Sequence, residues 1–109
     1  MRVLFDQGTP VPLRDHLLTH QVSTAFELGW SNLKNGELLQ QAENLGFEVL
    51  ATTDQNLKYQ QNLSIRRISI VVLGATSWPR IQRVLPTIVE AIGSIPPNGY
   101  VEVAVPQSS

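Results

Sequence analysis

The sequence predicts an α/β fold, a single three-layer α/β/α domain built on a mainly parallel sheet. Three observations predict it. Short apolar runs, RVLF at 2–5, FEVLA at 47–51 and ISIVVL at 68–73, have the length and composition of strands buried on both faces. The stretches between them carry helical spacing, so strands and helices alternate at the interval of βαβ units. The chain has 109 residues, the length of one domain, and its 42% hydrophobic against 16% charged residues suits a largely covered sheet.

The elements follow in order. Arg2–Phe5 reads as a buried strand, with Gly8-Thr9-Pro10 as the turn out of it. Pro10–Leu18 is predicted as a short helix, since proline suits a first turn. Gln21–Thr24 is a weak second strand, and residues 25–34 read as a helical turn followed by a loop around Gly29-Trp30-Ser31. Asn35 reads as an N-cap, because Leu38, Leu39, Ala42 and Leu45 then lie on one helical face that ends at Gly46. Phe47–Ala51 is the third strand, Gln55–Leu63 a helix, and Ile68–Leu73 the clearest strand through its β-branched residues. Ser77 caps a long helix predicted to run to about Ile92, with Trp78-Pro79 in its first turn and a kink at Pro86. SIPPNG at 94–99 is a loop and Tyr100–Val105 the last strand.

Composition removes several classes of function. The net charge of −1 gives no basic field for nucleic acid, so any such contact must come from a local patch. The absence of cysteine excludes disulfides, cysteine-based zinc sites and thiol catalysis. No run approaches the ~18 apolar residues of a membrane span, and Met1-Arg2 leads straight into a strand, so a cytoplasmic protein with no membrane partner is expected. Low charge and the apolar, proline-interrupted segment from Ile92 to Val105 predict a self-association face and a homodimer.

Two buried runs end in aspartate: Asp6 closes RVLF and Asp54 lies just beyond FEVLA. Either residue alone can cap the turn that follows. Parallel sheets place their sites beyond the carboxyl ends of the strands, at the point where strand order reverses; if strands 1 and 3 flank that point, the two aspartates face each other across a crevice. Glu37, in the first turn of the helix after Asn35, is offset from the Leu38/Leu39 face and is predicted to join them; its other reading is compensation of the helix dipole. Three carboxylates with no basic partner nearby need a cation, and oxygen ligands of this kind suit Mg²⁺ or Mn²⁺.

LFDQGTP at 4–10, GWSNLKNGELLQQA at 29–42, TTDQNLKYQQNL at 52–63 and IVVLGATSWPRI at 70–81 resemble the small PIN-like domains, nuclease-fold proteins related to the VapC-type toxins of toxin–antitoxin pairs. The resemblance implies a parallel sheet with an acidic pocket for Mg²⁺ or Mn²⁺, cleavage of RNA in active members, and an antitoxin protein as partner. It assigns Asp6, Glu37 and Asp54 to the acidic positions. It also implies departures: Gln7 and Asn56 stand where many such domains carry further acids. Asn56 can still offer a carbonyl ligand or hold a metal-bound water.

The expected chemistry is hydrolysis of RNA phosphodiesters, with Asp6, Glu37 and Asp54 as the catalytic and metal-holding residues. Lys58, Arg66 and Arg67, with Arg80 and Arg83 behind them, are the candidates to hold the RNA backbone. Trp30 and Trp78 read as core or interface residues before base-stacking ones, and the His16/His20 pair does not read as a metal site. Two other readings stand beside this one. A PIN-like domain with Gln7 and Asn56 in place of acids can serve as a binding module without catalysis. A phospho-receiver domain would use Asp54 as acceptor and Thr76 as switch hydroxyl, although strand 1 ends in a single Asp and no lysine follows YVEVAV.

Overall fold

Five short strands lie side by side, all parallel, in the order β2-β1-β3-β4-β5. They are β1 (Arg2–Phe5), β2 (Gln21–Thr24), β3 (Val49–Thr52), β4 (Ser69–Leu73) and β5 (Tyr100–Val103). The computed structural model describes residues 1–107 as one α/β domain. Its α-helices are α1 (Asn35–Asn44), α2 (Leu57–Gln60), α3 (Trp78–Ile81) and α4 (Leu85–Ser94).

Successive residues of a strand point to opposite faces, and here both faces are apolar. Val3, Phe5, Val49, Ala51, Val71 and Leu73 point to one side, where they meet Leu13, Leu17, Ile81, Ile88 and Ile92. Leu4, Leu50, Ile70 and Val72 point to the other, against Leu38, Leu39 and Ala42 of α1 and Leu57 of α2. Every residue of β3 and β4 is buried. The residues behind the expected self-association face, Ile92, Ile95, Val103 and Val105, are buried in the first of these clusters. Among the described residues no helix is long and apolar enough to cross a membrane.

The helices differ from expectation where prolines and polar side chains intervene. The segment predicted as a helix over Pro10–Leu18 is a 3₁₀ turn, Val11–His16, with Pro12 in its opening turn. The single helix expected over Gln55–Leu63 stops at Gln60: Gln61 is extended, and the Asn62 side chain accepts the Ser64 N–H to start a separate 3₁₀ turn, Leu63–Ile65. The long helix from Ser77 to Ile92 is three pieces, α3, a 3₁₀ turn at Gln82–Val84 and α4. Pro86, at the start of α4, has no N–H to donate back and its ring crowds the carbonyl four residues earlier, so the chain tightens and restarts.

Helix α1 is the best anchored of the four. Gly46 takes φ +81°, the Phe47 N–H reaches the Ala42 carbonyl at 2.9 Å and the Gly46 N–H reaches that of Glu43 at 3.1 Å. This is the glycine-terminated end in which the residue after the glycine packs back on the last turn. From that turn Glu43 reaches across to the chain entering β4. One carboxylate oxygen accepts the backbone N–H groups of Arg67 and Ile68, and the other accepts from the Arg66 guanidinium at 3.3 Å. Burial alone would raise the Glu43 carboxyl, yet the Ile68 and Arg67 N–H groups and Arg66 together hold it below the ordinary carboxylate value.

Glu43→Ala removes the bonds of all three donors at once and takes its carboxylate from a mostly buried guanidinium, which keeps only the neutral Gln40 and Gly36 oxygens. It should cost about 3 kcal/mol and lower the melting temperature by roughly 12 °C. The exposed Glu90→Ala is the control and should change stability by less than ~0.5 kcal/mol. Equal melting temperatures for the two variants would show that Glu43 is not an anchor.

Candidate functional site

Chain connections leave β1 for β2 on one side and reach β3, β4 and β5 on the other, so strand order reverses between β1 and β3. Asp6 is the first residue past β1, and its N–H closes the β1/β3 ladder on the Ala51 carbonyl at 2.9 Å. A turn follows in which the Thr9 N–H returns to the Asp6 carbonyl at 3.1 Å. Gly8 holds the third place of that turn at φ +97°, a conformation that favours glycine, and a Cβ there would stand 3.0 Å from Thr53 Oγ1. The turn swings Thr9 inward, where its hydroxyl donates to the Ala51 carbonyl at 3.0 Å.

Across from it β3 ends at Thr52, a fully buried polar residue. The Thr52 hydroxyl donates to Asp6 Oδ2 at 2.8 Å and accepts the Asp54 N–H at 3.1 Å. One hydroxyl therefore fixes both aspartates. Asp54 Oδ1 accepts the Asn56 N–H at 2.9 Å, which turns the chain into α2. Its Oδ2 accepts from Asn35 Nδ2 at 3.0 Å, and the same amide donates to Gln60 Oε1 at 3.1 Å. Asp6 Oδ1 accepts the Gln7 N–H at 2.8 Å. These donors are all neutral. Burial raises the Asp6 carboxyl above its ordinary value and the charge of Asp54 adds to the rise, while the bonds from Thr52 and Gln7 pull against it.

The other expected residues are dispersed. Glu37 bends back to accept the Lys34 N–H at 3.1 Å, a capping contact at the start of α1. Among the described residues no group of three or more His, Asp or Glu side chains stands together as a metal cluster. Asn56 is exposed beside Asp54. Lys58 pairs with Glu102 at 2.9 Å, Arg66 is bound to Glu43, and Arg67 precedes β4 at the opposite, amino end of the sheet. Arg80 donates to the Pro106 carbonyl at 2.7 Å. Trp30 and Trp78 pack against the two cores, Trp30 edge-on to Phe47 and Trp78 against His16. His20 lies against the Met1 amino group instead, at 3.3 Å.

Two residues at the site went unread in the sequence. Asn35 was expected to cap α1; it is instead the first helical residue, and its amide holds Asp54. Thr52 lies one residue past the strand end predicted at Ala51, and a polar residue at the end of a buried run is the one signal the sequence offers for it. A cavity of about 360 Å³ lies away from these carboxylates, at the amino ends of the strands. A smaller one of about 290 Å³ lies on the carboxyl side, between Gln55, Gly74 and Glu102. Chemistry favours the carboxyl side for the candidate active site, because the paired carboxylates are there. Compared with known proteins, the chain matches no family model, no curated protein and no solved structure.

A raised carboxyl in the folded state means that folding favours the protonated form. Its contribution to stability is full below the unfolded value of 3.8 and is lost as pH rises through the higher folded value. Asp6→Asn, which carries no titrating charge, should therefore gain on the wild type as pH climbs from 3.5 toward 7. Urea unfolding of both proteins across that range checks it. A stability difference independent of pH would mean that Asp6 is not destabilised by its surroundings.

Proposed function

We propose that this chain is a metal-dependent ribonuclease of PIN-like type, a three-layer α/β/α domain that hydrolyses RNA phosphodiesters at Asp6 and Asp54. The observation that carries the reading is the single Thr52 hydroxyl that holds the two strand-end aspartates together at the β1/β3 switch point. A partly buried carboxyl kept near a second one, with only neutral hydrogen-bond donors around both, is a site whose charge calls for a cation. Asp6 and Asp54 would hold it, with the Asn56 carbonyl as a neutral addition. A largely hydrated Mg²⁺ or Mn²⁺ fits that set, since Mg²⁺ commonly takes one or two carboxylates and keeps several waters. When bound, the ion supplies polarisation of a phosphoryl oxygen and a more acidic water.

The protein's own residues do the rest. Thr52 keeps Asp6 Oδ2 turned toward the site, and Asn35 keeps Asp54 from rotating away. Lys58, in α2 just after the Asp54 turn and paired with Glu102, is the expected cation placed to offer a charge to the RNA backbone. Glu37, engaged with the start of α1, contributes to the helix and not to the reaction in this reading.

The strand order favours one other reading, a phospho-receiver domain, because receivers share the order 2-1-3-4-5. Asp54 would then be the acceptor. Against it, Ala104 to Gln107 beyond β5 supply no lysine for the phosphate. Acetyl phosphate that labels wild type but not Asp54→Asn would favour the receiver.

Purified protein should cleave an RNA pool with Mn²⁺, stop with EDTA, and lose cleavage on Asp54→Asn. Asn35→Ala should lower metal affinity or cleavage by about 10–100-fold, the usual range for a residue that orients a ligand. Glu37→Ala should cost roughly 1 kcal/mol of stability and leave cleavage largely intact. Cleavage that is equal in wild type and Asp54→Asn would assign the activity to a contaminant, and a bound but uncleaved RNA would favour the non-catalytic module.

A further inference from the structure

The cavity of about 360 Å³ at the amino ends of the strands has a floor of apolar side chains, Phe47, Val49, Ile68 and Ile95, each nearly buried. Its charged residues are Glu48 and Arg67, of opposite sign, together with Glu43 and the amino-terminal Met1. Glu48 and Arg67 are exposed, and no ion pair joins them. One Glu48 oxygen accepts the Arg2 N–H at 3.1 Å and the other remains open. The Arg67 guanidinium has no hydrogen bond or ion pair to the described residues. The remaining polar neighbours are engaged: the Glu43 oxygens on Arg66 and the chain entering β4, the Ser69 hydroxyl on the Pro96 carbonyl and the Gly99 N–H, and the Met1 amino group on His20 Nδ1 at 3.3 Å.

That lining selects among ligands by elimination. A lone anion would meet Arg67 but stand beside Glu48. A lone cation would meet the reverse. An uncharged apolar molecule would fill the floor and strip water from both charges without replacing it, which is costly. A molecule carrying both charges on an apolar body satisfies every part of the cavity, and the volume suits a small ligand. We propose that this cavity binds a small zwitterion with an apolar side chain, of the kind represented by a free aliphatic or aromatic amino acid. Its carboxylate forks onto the Arg67 guanidinium, its ammonium meets the open oxygen of Glu48, and its side chain covers Ile68 and Ile95. The site stands at the end of the sheet away from Asp6 and Asp54, and it holds whether or not the chain is a ribonuclease.

Calorimetric titration of the full chain tests this with L-leucine, leucine amide and N-acetyl-leucine as probes. L-leucine should bind saturably with a dissociation constant of about 1 mM or tighter. Leucine amide, lacking the carboxylate, and N-acetyl-leucine, lacking the ammonium, should each bind about tenfold more weakly or worse. Arg67→Gln should weaken L-leucine by a similar factor and leave leucine amide unchanged; Glu48→Gln should weaken L-leucine and leave N-acetyl-leucine unchanged. Amide NMR shifts on adding L-leucine to the wild type should fall at residues 47–49, 67–69 and 95, which tests the site without any variant. No saturable binding, equal binding of the three probes, or shifts centred on residues 6 and 54 would each overturn the proposal.

Discussion

A parallel sheet covered on both faces leaves polar chemistry almost nowhere to stand except beyond the strand ends, and the rest of this molecule follows from that constraint. β3 and β4 have no exposed residue. Each strand is only four or five residues long, so the sheet is thin and its two ends are close to the core. A carboxylate placed immediately past a strand is then half-desolvated by its position, as Asp6 is. Thr52 in β3 and Ser69 in β4 are exceptions that the constraint permits: a polar side chain inside a buried strand survives because its hydroxyl both donates and accepts.

The same constraint explains what could be read in advance. Strands buried on both faces must be continuous apolar runs, so β1 and β2 lie where the residues predicted, β4 begins one residue later, β3 begins two later and ends one later, and β5 ends two earlier. The helices were harder, because their limits are decided by single events: a proline without an N–H, or an asparagine that folds onto its own backbone. Asp6 and Asp54 were legible since the end of a strand fixes where the next side chains go. Glu37 and Asn35 were not. Residues two apart on a helix point about 200° apart, and the sequence does not say how the first turn of α1 is rotated about its axis. Asn35 faces Asp54, while Glu37 faces back to Lys34.

For Arg66 and Arg67 the signal was present. Residues that precede a strand of a parallel sheet lie at its amino end, and residues that follow one lie at its carboxyl end. Both arginines precede β4, which puts them across the sheet from the aspartates. Only one of them is left open; Arg66 is absorbed by Glu43, and the cavity at that end inherits Arg67 alone.

Helix α1 touches both ends. Its first residue, Asn35, holds Asp54, and Glu43 in its last turn holds the backbone entering β4. Between those two residues the helix rises about 12 Å, close to the ~13 Å length of a four-residue strand. The helix is therefore a spacer cut to the height of the sheet. Adding or removing one residue within it would turn one anchor by about 100° relative to the other and slide it ~1.5 Å. Both contacts could not then be made together. Substitutions on its outer face are free to accumulate, but its length is not, and lengthening or shortening of this chain belongs in the surface loops instead.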